Sequence, residues 1–517
     1  MHKPPTLRES LASGTGLVLA IALIRLAVHL WTNAFGGYGY FRDELYYLAC
    51  ADHLDLGYVD HPPFSIFVLA VWRAIAGDSL FILRLLPAIA GAVTVFVTGR
   101  IAALMGGGRV AQMFAALGAC LSPIMLGLCG IYSMNAFDAL FWTLSLLVAV
   151  RLVQTGDPRT FIPLGIAIGL GALNKISILW LGAGITIGLL FSPYRALLRT
   201  RWALRGALIA LLLFTPFIVW NILHNFAHLE FIRNATGMKY SGLTPLRFLA
   251  DQLLIHNPFA VPLWLAGLAG LFFVPSLKPY RFLGIAFLAV LAILLLNGHS
   301  KAEYLAAGFP LLFAAGGVCI EGLTQKGFLR FLSPAYALVL IVTGIALVPL
   351  ALPILPVATF VSYAQTLGIA PGSAEHKQLG ALPQFYADMF GWPEKAADVA
   401  AVYNHLTPEE KTRCAIYTDN YGRNASIDFF GRHYGLPRSI GGHNNYWLWG
   451  PRGYTGEIVI ILGGSLKDKQ EVFANVEVAA TASSPWCMPY ESDLPVYLCR
   501  GLRVPLGEMW GKVKHYE

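Results

Sequence analysis

The chain has 517 residues, 56% of them hydrophobic and 13% charged, and its mean hydropathy is +0.60. A soluble domain carries about 25% charged residues, so the composition excludes a soluble globular protein and points to an integral membrane one. The net charge of +8 is no nucleic-acid footprint, because the cations sit in short segments between apolar runs, which is a topological pattern.

The N-terminal MHKPPTLRES leads into an apolar run too long for a signal peptide and without a small-residue cleavage site, which predicts a retained first span. At ~20 residues per span, apolar segments are predicted to cross near 13–35, 80–104, 109–129, 133–153, 161–174, 176–192, 203–221, 260–277, 280–297, 303–323 and 328–353, about 11 spans in all, with the short pair around Asn174 and Lys175 readable as two spans or one long helix. The segment 64–77 is too short to cross and ends at Gly77-Asp78, so it is expected to lie in the interface or re-enter. With Lys3 and Arg8 in the cytoplasm, the loops holding Arg100/Arg109, Arg151/Arg159, Arg195–Arg205, Lys278/Arg281 and Lys326/Arg330 fall on the same side. The opposite side is poorer in cations but holds most of the unusual polar residues.

Chief among these is the first loop, Tyr40 to Pro63, YFRDELYYLACADHLDLGYVDHPP. It carries Asp43, Glu44, Asp52, Asp55 and Asp60, with Arg42 as its only permanent cation. Carboxylates beside hydrocarbon are costly and tend to be kept for use. Its tyrosines suit a membrane–water boundary. Asp43-Glu44 offers a general base with a possible orienting neighbour, and Asp60-His61-Pro62-Pro63 an acid and an imidazole stiffened by prolines. Further on, Lys301 and Tyr304 (KAEY) could hold a phosphate at the interface. Each feature has a plainer reading: a solvated acidic pair, a structural histidine, a snorkelling lysine. Their joint occurrence on one face favours a site.

From about residue 356 the composition changes, and 356–517 is predicted to be a soluble α/β domain following a membrane domain over 1–355. Lys395–Leu406 has helical spacing, Cys414–Tyr417, Glu457–Leu462 and Val496–Cys499 read as buried strands, and a helix runs through Phe429. Gly463-Gly464-Ser465 lacks the spacing of a phosphate loop. Cys487 and Cys499 lie where a disulfide is allowed.

A first span followed by an aromatic loop with RDELYY resembles the polytopic GT-C glycosyltransferases, and more narrowly the protein O-mannosyltransferase and aminoarabinose transferase superfamily. GYVDHPP, YSMNAFDALFW, GLGALNK, HSKAEYLAAGFPLLFAAG and the tail blocks DNYGRNA, GLP and HNNYWLWGP are similar to blocks of that superfamily across nearly the whole chain. The resemblance implies a membrane all-α bundle with interfacial helices in its first loop, and transfer of a sugar, with inversion, from a polyprenyl-phosphate donor to a glycolipid or protein acceptor. It implies an active site and C-terminal domain facing the exterior of a bacterial inner membrane. By position it makes Asp43 the base with Glu44 beside it, and gives the lipid phosphate to Lys301 and Tyr304 with help from Arg42 or His61. Asp60-His61 departs from the family, standing where aminoarabinose transferases look more like Glu-Lys. These two could instead share a divalent cation with His256. The competing reading is a transporter or flippase, with Arg25, Asp138 and Lys175 as embedded charges, but that class is expected to show an internal repeat and none is seen.

Overall fold

The computed structural model describes residues 14–239, 244–324, 330–372 and 378–517. Lys3, Arg8 and Lys326, used above for orientation, lie outside them. The chain forms two compact units, one within 1–37, 81–219 and 242–356, the other from Tyr38–Leu80, 220–241 and Val357–Glu517.

The first unit is helical because hydrocarbon offers backbone groups no partner, and a helix satisfies them internally. Among the described residues, seven helices are long and apolar enough to cross a membrane: Gly14–Phe35, Leu80–Leu104, Met134–Thr155, Arg201–Leu223, Pro275–Asn297, Ala302–Thr324 and Leu332–Ala351. Two bent pairs, Ile178–Leu190 with Pro193–Arg199 and Pro245–Ile255 with Pro258–Phe273, raise the number to nine if each is one span. This is a multi-pass membrane protein.

The eleven apolar windows thus do not all become long helices. The window 109–129 is divided into Arg109–Cys120 and Pro123–Leu128, where the helix stops ahead of Pro123. The segments around Asn174-Lys175 are two helices, Phe161–Asn174 and Ile178–Leu190, with Lys175 extended between them (φ −155°, ψ 129°). Hydropathy registers apolar composition but not these breaks. Helices within the unit approach closely at small residues: a Cβ at Gly267 would strike the Leu312 carbonyl, and one at Gly316 the Leu263 carbonyl.

The second unit carries a five-stranded sheet of β1 (Cys414–Thr418), β2 (Ile440–Gly441), β3 (Ile458–Leu462), β4 (Phe473–Ala482) and β5 (Leu494–Leu502), in the order β2-β1-β3-β5-β4. β1 pairs in parallel with β2 and β3, while β5 runs antiparallel to β3 and β4. Both faces are covered, one by a core of Val399, Ile416, Ile460 and Val496, the other by one of Val459, Phe473, Cys499 and Trp510. Two-sided burial explains the unbroken apolar run of β3. β4 is an edge strand whose middle faces solvent, so its sequence carries little apolar signal. The helices Trp392–Asn404 and Tyr421–Phe430 pack in this unit. So does Phe64–Ala76, 13 residues long as the short window predicts, closed by Gly77 in the left-handed region (φ +89°). All seven cysteines are free, Cys487 and Cys499 included.

Candidate active site

Within the second unit, the helix Arg42–Ala51 presents the acidic loop. Glu44 turns back to its own N-terminus, where its Oε2 accepts the Phe41 N–H over 2.8 Å, and it is fully buried. An acid in the first turn, bonded to an otherwise unpaired amide, fixes where the helix starts. Its neighbour Asp43 keeps a 37% exposed side chain, and its Oδ1 accepts the Tyr421 hydroxyl over 2.7 Å. The adjacent acids therefore do different work.

Arg42 is held under them. Its Nη1 lies 3.5 Å from Asp388 Oδ2 and 3.4 Å from the Tyr490 hydroxyl, and its Nε 3.4 Å from Asp43 Oδ1. The guanidinium stands 5.4 Å from the Tyr421 ring centre. Burial works against the charge, but Asp388 first, then Tyr421 and Asp43, overcome it and raise the Arg42 pKa.

Asp60 receives the Tyr46 hydroxyl at 3.0 Å. Burial raises its carboxyl above the usual range, and pushes the Tyr46 phenol up as well. The Tyr46 and Tyr421 rings are 4.8 Å apart, so Asp43 and Asp60 each accept a hydrogen bond from one member of a tyrosine pair. His61 is fully buried, stacked on Tyr47 at 4.6 Å, with Nδ1 3.0 Å from the Pro62 carbonyl and Nε2 3.9 Å from Asp60. Asn445 braces the loop, its Oδ1 accepting the Val59 N–H at 3.0 Å.

Lys301 and Tyr304 belong to the first unit, Lys301 capping the turn Ala302–Gly308 that leads into Phe309–Thr324. Lys175 reaches the same block, its Nζ 5.2 Å from the Tyr304 ring centre, 2.8 Å from Asn135 Oδ1 and 3.7 Å from Asp138 Oδ2. Ser177 Oγ lies 3.0 Å from both oxygens of Asp138. A cation between a carboxylate and an aromatic face is the form in which charge is tolerated inside a membrane. Three family-like blocks, YSMNAFDALFW, GLGALNK and HSKAEY, meet here.

The residues do not fit a metal site. His256 Nδ1 is 3.0 Å from Ser122 Oγ and its ring lies 3.6 Å over Phe309. Among the described residues no three His, Cys, Asp or Glu side chains are grouped to hold an ion.

The sequence reading missed Tyr421, Tyr490, Asp388 and Asn445. Two of them sit in DNYGRNA and HNNYWLWGP, so those blocks were the available signal. Arg423, in the same helix as Tyr421, binds Glu491 through Nε at 2.9 Å and Asp419 through Nη1 at 2.8 Å.

ArnT from Cupriavidus metallidurans, in its complex with undecaprenyl phosphate, superposes with a TM-score of 0.60 at 14% identity, covering 93% of this chain and 97% of that one. The fold is the GT-C fold. Arabinofuranosyltransferase AftD from Mycobacteria also matches, with a TM-score of 0.51 at 16% identity over 94% of this chain and 40% of that protein. A family model described as dolichyl-phosphate-mannose-protein mannosyltransferase matches residues 60–220. The lipid A galacturonosyltransferase RgtD of Rhizobium johnstonii is 25% identical over 256 residues, 47% of this chain and 53% of that protein, so the chain spans about half the length of this curated relative. The GT-C likeness read from RDELYY and KAEY is borne out.

Proposed function

We propose that this protein is an inverting glycosyltransferase that moves a sugar from a polyprenyl-phosphate donor to a glycolipid hydroxyl at the extracytoplasmic face of a bacterial inner membrane. The observation that carries it is Asp43, a carboxylate on the first-loop helix of a GT-C fold, oriented by a phenol yet still 37% exposed. Asp43 takes the proton of the acceptor hydroxyl, and that oxygen attacks the anomeric carbon opposite the phosphate. The bond from the anomeric carbon to the phosphate oxygen breaks, and the polyprenyl phosphate leaves with the electron pair. The leaving group needs charge stabilisation more than a proton, which Lys301 and Tyr304 supply. Glu44 sets the helix that carries the base.

A glycolipid acceptor is favoured by the likeness to RgtD, whose name specifies lipid A. The active site and the domain over 356–517 face the exterior in this reading. The test is to incubate the purified protein with a polyprenyl-phosphate sugar and lipid A. A lipid A mass increase of one sugar, matched by polyprenyl phosphate release, is expected; donor left intact with every lipid acceptor contradicts it. Orientation is tested separately. Because the native cysteines are buried, an impermeant thiol reagent on intact spheroplasts should reach Leu56→Cys and not Arg199→Cys.

A further inference from the structure

A second cluster gathers beyond the C-terminal end of the Arg42–Ala51 helix. His53 Nδ1 is 3.0 Å from the Ala49 carbonyl, so it carries the ring proton and Nε2 is an acceptor. Two guanidiniums converge on that single lone pair, Arg438 Nη1 at 3.1 Å and Arg452 Nη2 at 3.3 Å. Trp449 stacks on the imidazole at 4.2 Å. One lone pair cannot satisfy two cationic donors, and the buried Nε of Arg452 has no hydrogen-bond partner among the described residues.

The carboxylates nearby do not make up the deficit. Asp52 Oδ2 lies 3.4 Å from Arg438 Nη2, but its Oδ1 is held by Arg73 at 2.9 Å. Asp78 is shared by Arg73 at 3.2 Å and Arg432 at 3.8 Å. Asp428 is occupied by the Ser439 N–H at 2.7 Å and hydroxyl at 2.9 Å and by the Tyr446 hydroxyl at 3.1 Å. Four arginines therefore face three aspartates, Asp52, Asp78 and Asp428, the last acting on Arg452 electrostatically. Arg438 is 49% exposed and able to turn to a ligand. Arg73 comes from the Phe64–Ala76 helix and is turned inward to Asp52 and Asp78, 15% exposed. A cationic cluster with donors left over, beside an indole, matches a phosphate group.

We propose that Arg438 and Arg452, with His53 and Trp449, bind a phosphate-bearing lipid headgroup. Paired guanidiniums suit phosphate oxygens because their donors form a planar fork. That the occupant is the glycolipid acceptor rests on the transferase reading; that the site takes a phosphate headgroup does not.

The test is donor-free binding to the full-length protein in detergent, using bisphosphorylated lipid A, dephosphorylated lipid A, and vesicles of phosphatidylglycerol in phosphatidylcholine. Arg438→Gln with Arg452→Gln should weaken bisphosphorylated lipid A by roughly tenfold to a hundredfold, and leave the dephosphorylated form unchanged. A loss confined to lipid A supports the acceptor as the source, and an equal loss on the vesicles supports bulk anionic lipid in the same site. Wild-type affinity of the double variant for bisphosphorylated lipid A overturns the proposal. Arg438→Gln alone, at an exposed position, gives the same comparison at smaller amplitude if the double variant fails to fold. Because no turnover is measured, this result and the transferase reading fail independently.

Discussion

Tyr421 donates its hydroxyl to Asp43 over 2.7 Å, tying side chains 378 positions apart. The bond holds one carboxylate oxygen and leaves the side chain open to an acceptor. Tyr421→Phe keeps the ring against Tyr46 and removes this contact. A hydrogen bond to a charged group is worth about 1.5–3 kcal/mol, so single-turnover transfer should fall roughly tenfold or more while donor affinity stays. A loss of donor affinity with an unchanged rate would place Tyr421 elsewhere in the cycle.

Asp60 should behave unlike Asp43. Its Oδ1 accepts the Tyr46 hydroxyl, which an amide oxygen can also accept, so Asp60→Asn should cost less than about the 10²-fold at the low end for a lost base. Rates of the two variants, measured side by side at pH 7, check this.

The two lysines of the first unit should separate. Lys175→Ala leaves Asp138, 8% exposed, without its 3.7 Å partner, and breaking a buried pair costs about 3–5 kcal/mol. Its melting temperature in detergent should fall, and Asp138→Asn in the same chain should restore part of it. Lys301→Ala should instead weaken donor binding, read as the donor concentration for half-maximal rate.

His228 gives the fold an acid sensitivity. It is buried, its Nδ1 donates to the Val59 carbonyl at 2.9 Å, and burial lowers its pKa from 6.5 to about 4. Between those values the unfolded chain binds the extra proton, so stability rises with pH and is lost as pH falls below 6.5. Going from pH 7.5 to pH 5 should cost about 2 kcal/mol through this group. His228→Gln should shrink the melting-temperature difference between those two pH values relative to wild type.

The membrane character, the acidic loop and three of the five strands were legible, because each rests on a local apolar pattern or a dense run of charge. β2 has two residues and β4 lies on an edge, so neither leaves such a pattern. The helix breaks at Ser122-Pro123 and Lys175 lie inside apolar windows, which hides them from hydropathy. Asp43 and Glu44 were found as a pair, but their division of labour depends on Tyr421, far along the chain, and on the Phe41 amide. The Lys175–Tyr304 contact joins blocks 129 positions apart for the same reason. Long-range partners are set by the fold and leave no spacing to read.

The central claim is that Asp43 is the base, and Asp43→Asn tests it most directly. The amide is nearly isosteric and can still accept the Tyr421 hydroxyl, so folding and donor binding should match wild type. Sugar transfer from a polyprenyl-phosphate donor, followed with purified protein in detergent, should fall by ~10²–10⁴-fold. An Asp43→Asn protein that folds, binds donor and keeps most of its transfer rate would contradict the account.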